Sequence, residues 1–229
     1  MQFHTAFAVV LALAGATSAN ALVVADLGAY TVSYDETTPG FGHMAYSFTP
    51  GGGSTGFAWH VGSSVLVASG AAAVSASFAL PDFTVSVNPG WALSGPVSAF
   101  LGNLVFNEFL GATTTATAMG AVAVDGGAAL PVGGALTRVV TSPAGPLTSG
   151  YYVGNTTVPV GGFSSFSFSG GSLTLTAAGG VFSSVVSQPQ NELKFSLIAN
   201  PVPEPETAAL MLAGLLALGS LARRRRSRS

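Results

Sequence analysis

Between positions 22 and 200, apolar and polar residues alternate in short runs, and Gly, Pro, Asn and Asp break them up. A period of two puts apolar side chains on one face of an extended chain, so the pattern predicts half-buried β-strands. Strands are expected over 22–34, 43–49, 56–61, 64–80 (two, about Gly70), 83–88, 98–110, 113–124, 135–141, 150–160, 163–169, 172–178 and 192–199. The clearest unit is 166–175. A two-residue turn at Gly170-Gly171 would pair Phe168 with Leu173 and Phe166 with Leu175 on one face, leaving Ser167 and Thr174 on the other. Asn88-Pro89-Gly90 and Asp125-Gly126 read as further turns. Within 108–122, Glu108, Phe109, Leu110 and the alanines would also suit a short helix, but the threonines of 113–117 oppose it. Many short strands with Gly-rich turns predict an all-β body, a single antiparallel β-sandwich or jelly-roll-like domain over 22–200. A β-solenoid would need a fixed repeat, and none is visible.

Two segments fall outside this pattern. Residues 1–21 hold an apolar stretch, Ala6–Ala16, and close on Ala19-Asn20-Ala21, the small-x-small form of a signal-peptide cleavage site. At the other end, Pro201-Val202-Pro203-Glu204-Pro205-Glu206 forms an extended acidic hinge, because alternating prolines forbid a regular helix. Residues 207–222 then run without a charge and are rich in the helix formers Ala, Leu and Met. As a helix they would span about 24 Å, short of the roughly 20 residues that usually cross a bilayer. The basic end, 223–229, carries Arg223, Arg224, Arg225, Arg226 and Arg228, whose long side chains can reach the interface and stay on the cytoplasmic side. The expected organisation is therefore a signal peptide (1–21), a β-rich extracytoplasmic domain (22–200) and a tail (201–229) with a transmembrane segment over 207–222.

Composition supports export and narrows the partners. Charged residues are 7% of the chain and cysteine is absent, so neither a disulfide framework nor a thiolate metal site is available. All nine acidic side chains lie within 22–206, where Arg138 and Lys194 are the only Lys or Arg. A body with that balance lacks the basic footprint that nucleic acid requires. A single Lys also leaves strand edges with little charge protection, so prolines and bulges must blunt them or self-association belongs to the role.

Candidate reactive groups are sparse. Residues 51–56, Gly-Gly-Gly-Ser-Thr-Gly, fit both a nucleophile elbow and a dinucleotide fingerprint, yet both need a following helix and 57–61 reads as a strand. His43 and His60, with Asp35 or Glu36, would make a metal site only if the fold gathered them. Asp35-Glu36 reads more simply as a solvated turn. Tyr30, Tyr34, Tyr46, Trp59, Trp91, Tyr151 and Tyr152 supply flat faces that suit either the core or sugar stacking. No cofactor, metal site or catalytic set is expected.

The tail resembles the PEP-CTERM sorting signal of Gram-negative bacteria. The matching residues are Pro203, Glu204 and Pro205, the apolar run to Ala222, and Arg223–Arg226 with Arg228. The resemblance implies export by the secretion machinery, a membrane-anchored precursor, and cutting near Pro-Glu-Pro by an exosortase-like sorting protease. It further implies a mature form at the cell surface or outside the cell, in a setting of exopolysaccharide and biofilm. Such a tail is an address shared by unrelated bodies. For the body, the expectation is a non-enzymatic surface or matrix protein that contacts envelope polysaccharide or its own copies. The alternatives are a carbohydrate-binding module, a secreted hydrolase working through two carboxylates, and a plain anchored protein that keeps its helix.

Overall fold

The computed structural model describes residues 22–51, 53–70, 72–202 and 210–216. The expected signal peptide lies outside them, as do 203–209 and 217–229. In chain order, the first strands are β1 (Leu22–Asp26), β2 (Tyr30–Asp35), β3 (Tyr46–Gly51) and β4 (Ser54–His60). Next come β5 (Leu66–Ser69), β6 (Val74–Ala79), β7 (Phe83–Val87) and the long β8 (Trp91–Phe109). They are followed by β9 (Thr113–Val124), β10 (Leu130–Ala135), β11 (Thr137–Ala144) and β12 (Leu147–Val158). The last are β13 (Gly162–Phe163), β14 (Ser165–Ala178), β15 (Phe182–Val186) and β16 (Glu192–Pro201).

These strands build two open antiparallel sheets, in keeping with the all-β expectation. One runs β1-β2-β7-β14-β9-β10, with β6 also paired to β14. The other runs β11-β12-β8-β16-β4-β3, with β13 and β15 also paired to β8, and β5 paired to β15. One hydrophobic cluster fills the space between them and draws on both. Phe83 of β7 stands at its centre. Its ring lies 4.6 Å from Phe195, 5.2 Å from Phe57 and 5.5 Å from Trp59 on the facing sheet, and 5.8 Å from Phe168 on its own. Tilted and edge-on aromatic contacts of this kind add directional attraction to the burial of large apolar area.

The expected hairpin at 166–175 is corrected. Gly170-Gly171 is not a turn but lies within one continuous strand, β14. Opposite β9 the register steps from Ser169↔Ala121 to Ser172↔Met119, so one extra residue is inserted as a bulge. The step resets the alternation. Phe166 and Phe168 point inward at even positions, and Leu173, Leu175 and Ala177 point inward at odd ones. A turn and a bulge both keep Phe168 and Leu173 on one face, so the pattern alone does not separate them. Partners decide it. β9 follows β14 along nearly its whole length, and the other edge is shared by β7 and then β6. Glycine is required here by close approach: a Cβ at Gly120 would lie 2.4 Å from the Phe168 ring, and one at Gly171 2.5 Å.

The expected single strand over 22–34 is likewise two, β1 and β2. Asp26 Oδ1 accepts the Gly28 N–H at 2.9 Å and the Asn88 side-chain amide at 2.9 Å, and Gly28 takes φ +83°. This Asx-type turn closes the hairpin. Strands β10, β13 and β15 were not foreseen. The segment 108–122 holds no helix; it runs from the end of β8 through the turn at Leu110-Gly111 into β9. The Asp125-Gly126 turn is present, with both residues at positive φ and Gly127 N–H bonded to Val124 C=O at 2.9 Å.

In the tail, residues 210–216 are helical. Leu210, Met211, Leu212, Leu215 and Leu216 are 58–73% exposed, so this helix is not packed into the core. No helix among the described residues is long and apolar enough to cross a membrane, and the rest of the expected transmembrane segment lies outside them.

Gly120→Ala should lower stability by about 1–3 kcal/mol, the usual cost of overpacking a close contact. Urea unfolding should show part of that loss recovered in the double variant Gly120→Ala/Phe168→Leu.

Candidate functional site

The body holds its ionisable groups in small, separate sets. The most buried is built on Glu108, at the end of β8, whose side chain faces the core. Its Oε1 accepts the Thr114 N–H and the Thr114 hydroxyl, both at 2.7 Å, and its Oε2 accepts from the Arg138 guanidinium. Thr114 opens β9 on the opposite sheet, whereas Arg138 is on β11 beside β12. The Tyr152 hydroxyl of β12 donates to Thr114 C=O at 2.5 Å, and burial pushes the Tyr152 phenol above its ordinary pKa. Arg138 also lies 4.5 Å from the centre of the Phe106 ring. A buried carboxylate is tolerated when it is paired and its lone pairs are used. Here Glu108 spends its acceptors on tying the two sheets together.

A second set lies on the outer face of the other end of that sheet. Glu192 and Lys194 alternate along β16, so both point outward between the inward Leu193 and Phe195. Lys194 Nζ sits 2.5 Å from Glu192 Oε2, the Tyr46 hydroxyl donates to Glu192 Oε1 at 2.7 Å, and His60 Nδ1 is 3.9 Å away. Partial burial pushes the Glu192 carboxyl up, but the hydrogen bonds from Lys194 and Tyr46 outweigh it and leave the pKa below the ordinary value. The same contact with Glu192 holds the Lys194 ammonium above its ordinary value.

Between β9–β10 and β8–β12 the sheets leave a cavity of about 180 Å³, with Val97, Leu101, Val122, Val132 and Phe166 in its wall and Gly133 and Gly134 at one side. The space opens to the surface, and Asn155 and Thr156 bring polar groups into its otherwise apolar wall.

The residues singled out from sequence are dispersed. His43 pairs with Glu36 at 2.9 Å, away from His60, which pairs with Glu192. Asp35 accepts from the Thr37 hydroxyl at 2.6 Å and the Thr37 N–H at 2.8 Å, which together lower its pKa and form the solvated turn expected there. No cluster of three or more His, Asp or Glu suited to a metal exists among the described residues. The Gly-rich stretch at 51–56 leads into strand β4, not a helix, so it has neither the elbow nor the fingerprint context. Of the seven aromatic residues, Tyr30, Tyr34, Trp59 and Tyr152 are buried, Tyr46 and Tyr151 half-buried, and Trp91 exposed. Pro203, Glu204, Pro205 and Arg223–Arg226 lie outside the described residues. Sequence reading missed both polar sets. The i, i+2 spacing of Glu192 and Lys194 carried a signal for one; nothing local joins Glu108 to Arg138.

Arg138→Ala should cost about 1.5–3 kcal/mol, the scale of a hydrogen bond to a charged group. In urea unfolding, Glu108→Leu/Arg138→Leu should lose less than the sum of its two single variants. The Glu192–Lys194 contact stabilises the fold above the ordinary Glu value of 4.5, and this is lost as pH falls through the lowered folded pKa. On the basic side it persists below the ordinary Lys value of 10.5 and is lost as pH rises through the raised folded pKa. Lys194→Met should thus trail the parent protein by about 0.2–1 kcal/mol at neutral pH, with the gap closing at both extremes of a pH–stability series.

The body matches no curated protein and no solved structure. The tail does match a family. Residues 201–226 fit the family model of the PEP-CTERM protein-sorting motif, covering Pro203-Glu204-Pro205, the apolar run and Arg223–Arg226. That motif implies an exported, membrane-anchored precursor processed by exosortase-type sorting machinery. The chain carries a PEP-CTERM protein-sorting motif at its C-terminal end, directly behind the last strand of a two-sheet β body.

Proposed function

We propose that this is a non-enzymatic surface or matrix protein, delivered by its tail and cut near Pro203-Glu204-Pro205, whose β body stays outside the cell among exopolysaccharide. The observation that carries the reading is the junction. The sorting motif starts at residue 201, where β16 ends, so the address begins as the folded body finishes. The exposed apolar helix at 210–216 supports it, because such a surface is stable only when taken out of water. Arg223–Arg226 would hold the basic end on the cytoplasmic side until the cut. In the body, Glu108 and Glu192 are committed to hydrogen bonds and ion pairs within the fold, which suits a structural part better than proton transfer.

A carbohydrate-binding role for the body is the second reading. It is favoured by aromatic residues that the core does not consume: Trp91, Tyr46 and Tyr151.

Deletion of Pro203–Pro205 should leave full-length precursor in the inner membrane of the producing cell. A fractionation blot showing unchanged size and location would overturn the sorting reading. Intact mass and terminal sequencing of protein from the native envelope should place the C-terminus near Pro203.

A further inference from the structure

The strand registers bring together a row of side chains that no local pattern announces. Val139 of β11 lies opposite Tyr151 of β12, Tyr151 opposite Val105 of β8, Val105 opposite Val186 of β15, and Val186 opposite Leu66 of β5. Their neighbours Arg138, Tyr152, Phe106, Val185 and Val67 face the core, so these five face outward. Val139, Tyr151, Val105 and Val186 are half-buried, and Leu66 is 47% exposed. Five adjacent strands at about 4.8 Å spacing make a strip about 19 Å long, running across the strands.

The next outward row along the strands is polar, with the half-buried Ser149 and Asn107 in register and the buried Ser184 beside them. On the other side, β8 presents the exposed Asn103. No carboxylate or cationic side chain belongs to the strip or to these flanks. A narrow apolar track edged by hydroxyl and amide groups, without charge, fits a ligand with the same character. A pyranose ring has it: one face is C–H, and its rim is hydroxyl. A second copy of the chain fits less well. A strip about 19 Å by 7 Å covers roughly 130 Å², far below the roughly 800 Å² per partner of a stable protein interface.

We propose that the row Val139–Tyr151–Val105–Val186–Leu66 is the track on which the body holds a neutral, linear polysaccharide lying across the strands, with Tyr151 as its stacking platform. The proposal rests on the carbohydrate-binding reading above and gives it a place. The chain should bind by C–H contact with Tyr151 and the flanking aliphatics, while Asn107, Ser149 and Asn103 bond its hydroxyls. Affinity should be insensitive to salt, since no charge takes part.

The test is affinity electrophoresis of the full chain in a polyoxyethylene detergent, through native gels containing hydroxyethylcellulose, dextran, galactomannan or alginate. At least one neutral polymer should retard the protein. Tyr151→Ala should weaken that retardation about tenfold, the worth of a lost aromatic contact plus its apolar area. Leu66→Ser, at the exposed end of the strip, should weaken it severalfold. Met119→Ser, on the outer face of the other sheet, should leave it unchanged. Urea midpoints show which variants fold, and Leu66→Ser serves if Tyr151→Ala does not. No retardation by any neutral polymer, retardation only by alginate, or equal retardation of both strip variants would overturn the proposal. So would a concentration-dependent dimer in sedimentation that Tyr151→Ala abolishes. Tail processing is scored separately on the fractionation blot, so failed binding with intact processing removes the track and leaves the sorting reading standing.

Discussion

Phe83 makes the body a two-layered object. From β7 it reaches across the interior to Phe57, Trp59 and Phe195, and on its own sheet it touches Phe166 and Phe168. With so few charges and no cysteine, little else is available to press the sheets together. Each ring buries a large apolar area, and the interlocked angles fix the distance and rotation of one sheet on the other. Glu108, Thr114, Arg138 and Tyr152 add a polar tie near one end of the same interface. The aromatic centre supplies most of the attraction; the tie fixes the alignment of the strands that carry it.

A sheet protein poor in lysine must deal with its edges in another way. Three strands that pair on one side only, β3, β10 and β11, each contain a proline: Pro50, Pro131 and Pro143. Proline removes a backbone donor from an edge and so spoils it as a template for another chain. Bulges in the pairings of β3 and β11 twist those edges further. The single-sided strands β1 and β6 have no proline. Protection is therefore uneven around the molecule, by position and not by total charge.

Much of the fold was legible because alternation is local. The bounds of β9 were read to the residue, and those of β4, β7 and β16 nearly so. What failed was whatever depends on distant partners. Gly170-Gly171 satisfies a turn and a bulge equally well until β9, β7 and β6 are placed beside it. β15 was hidden because Ser183, an inward position between the two sheets, is polar, against the usual apolar character of inward positions. The same division holds for function. The sorting tail is contiguous, so its three parts could be recognised in order. The Glu108–Arg138 tie joins residues 30 positions apart and exists only after folding.

The way the last strand ends bears on what a protease would leave behind. β16 stays paired with β8 as far as Pro201↔Trp91, and Val202 N–H gives one more bond to Gly90 C=O at 2.8 Å. Trp91 opens β8 and Gly90 immediately precedes it, so the seam closes within the first two residues of the sorting segment. Scission beyond Val202 would therefore leave in place every ladder rung and the whole apolar interior of the described body, which could part from its address without refolding.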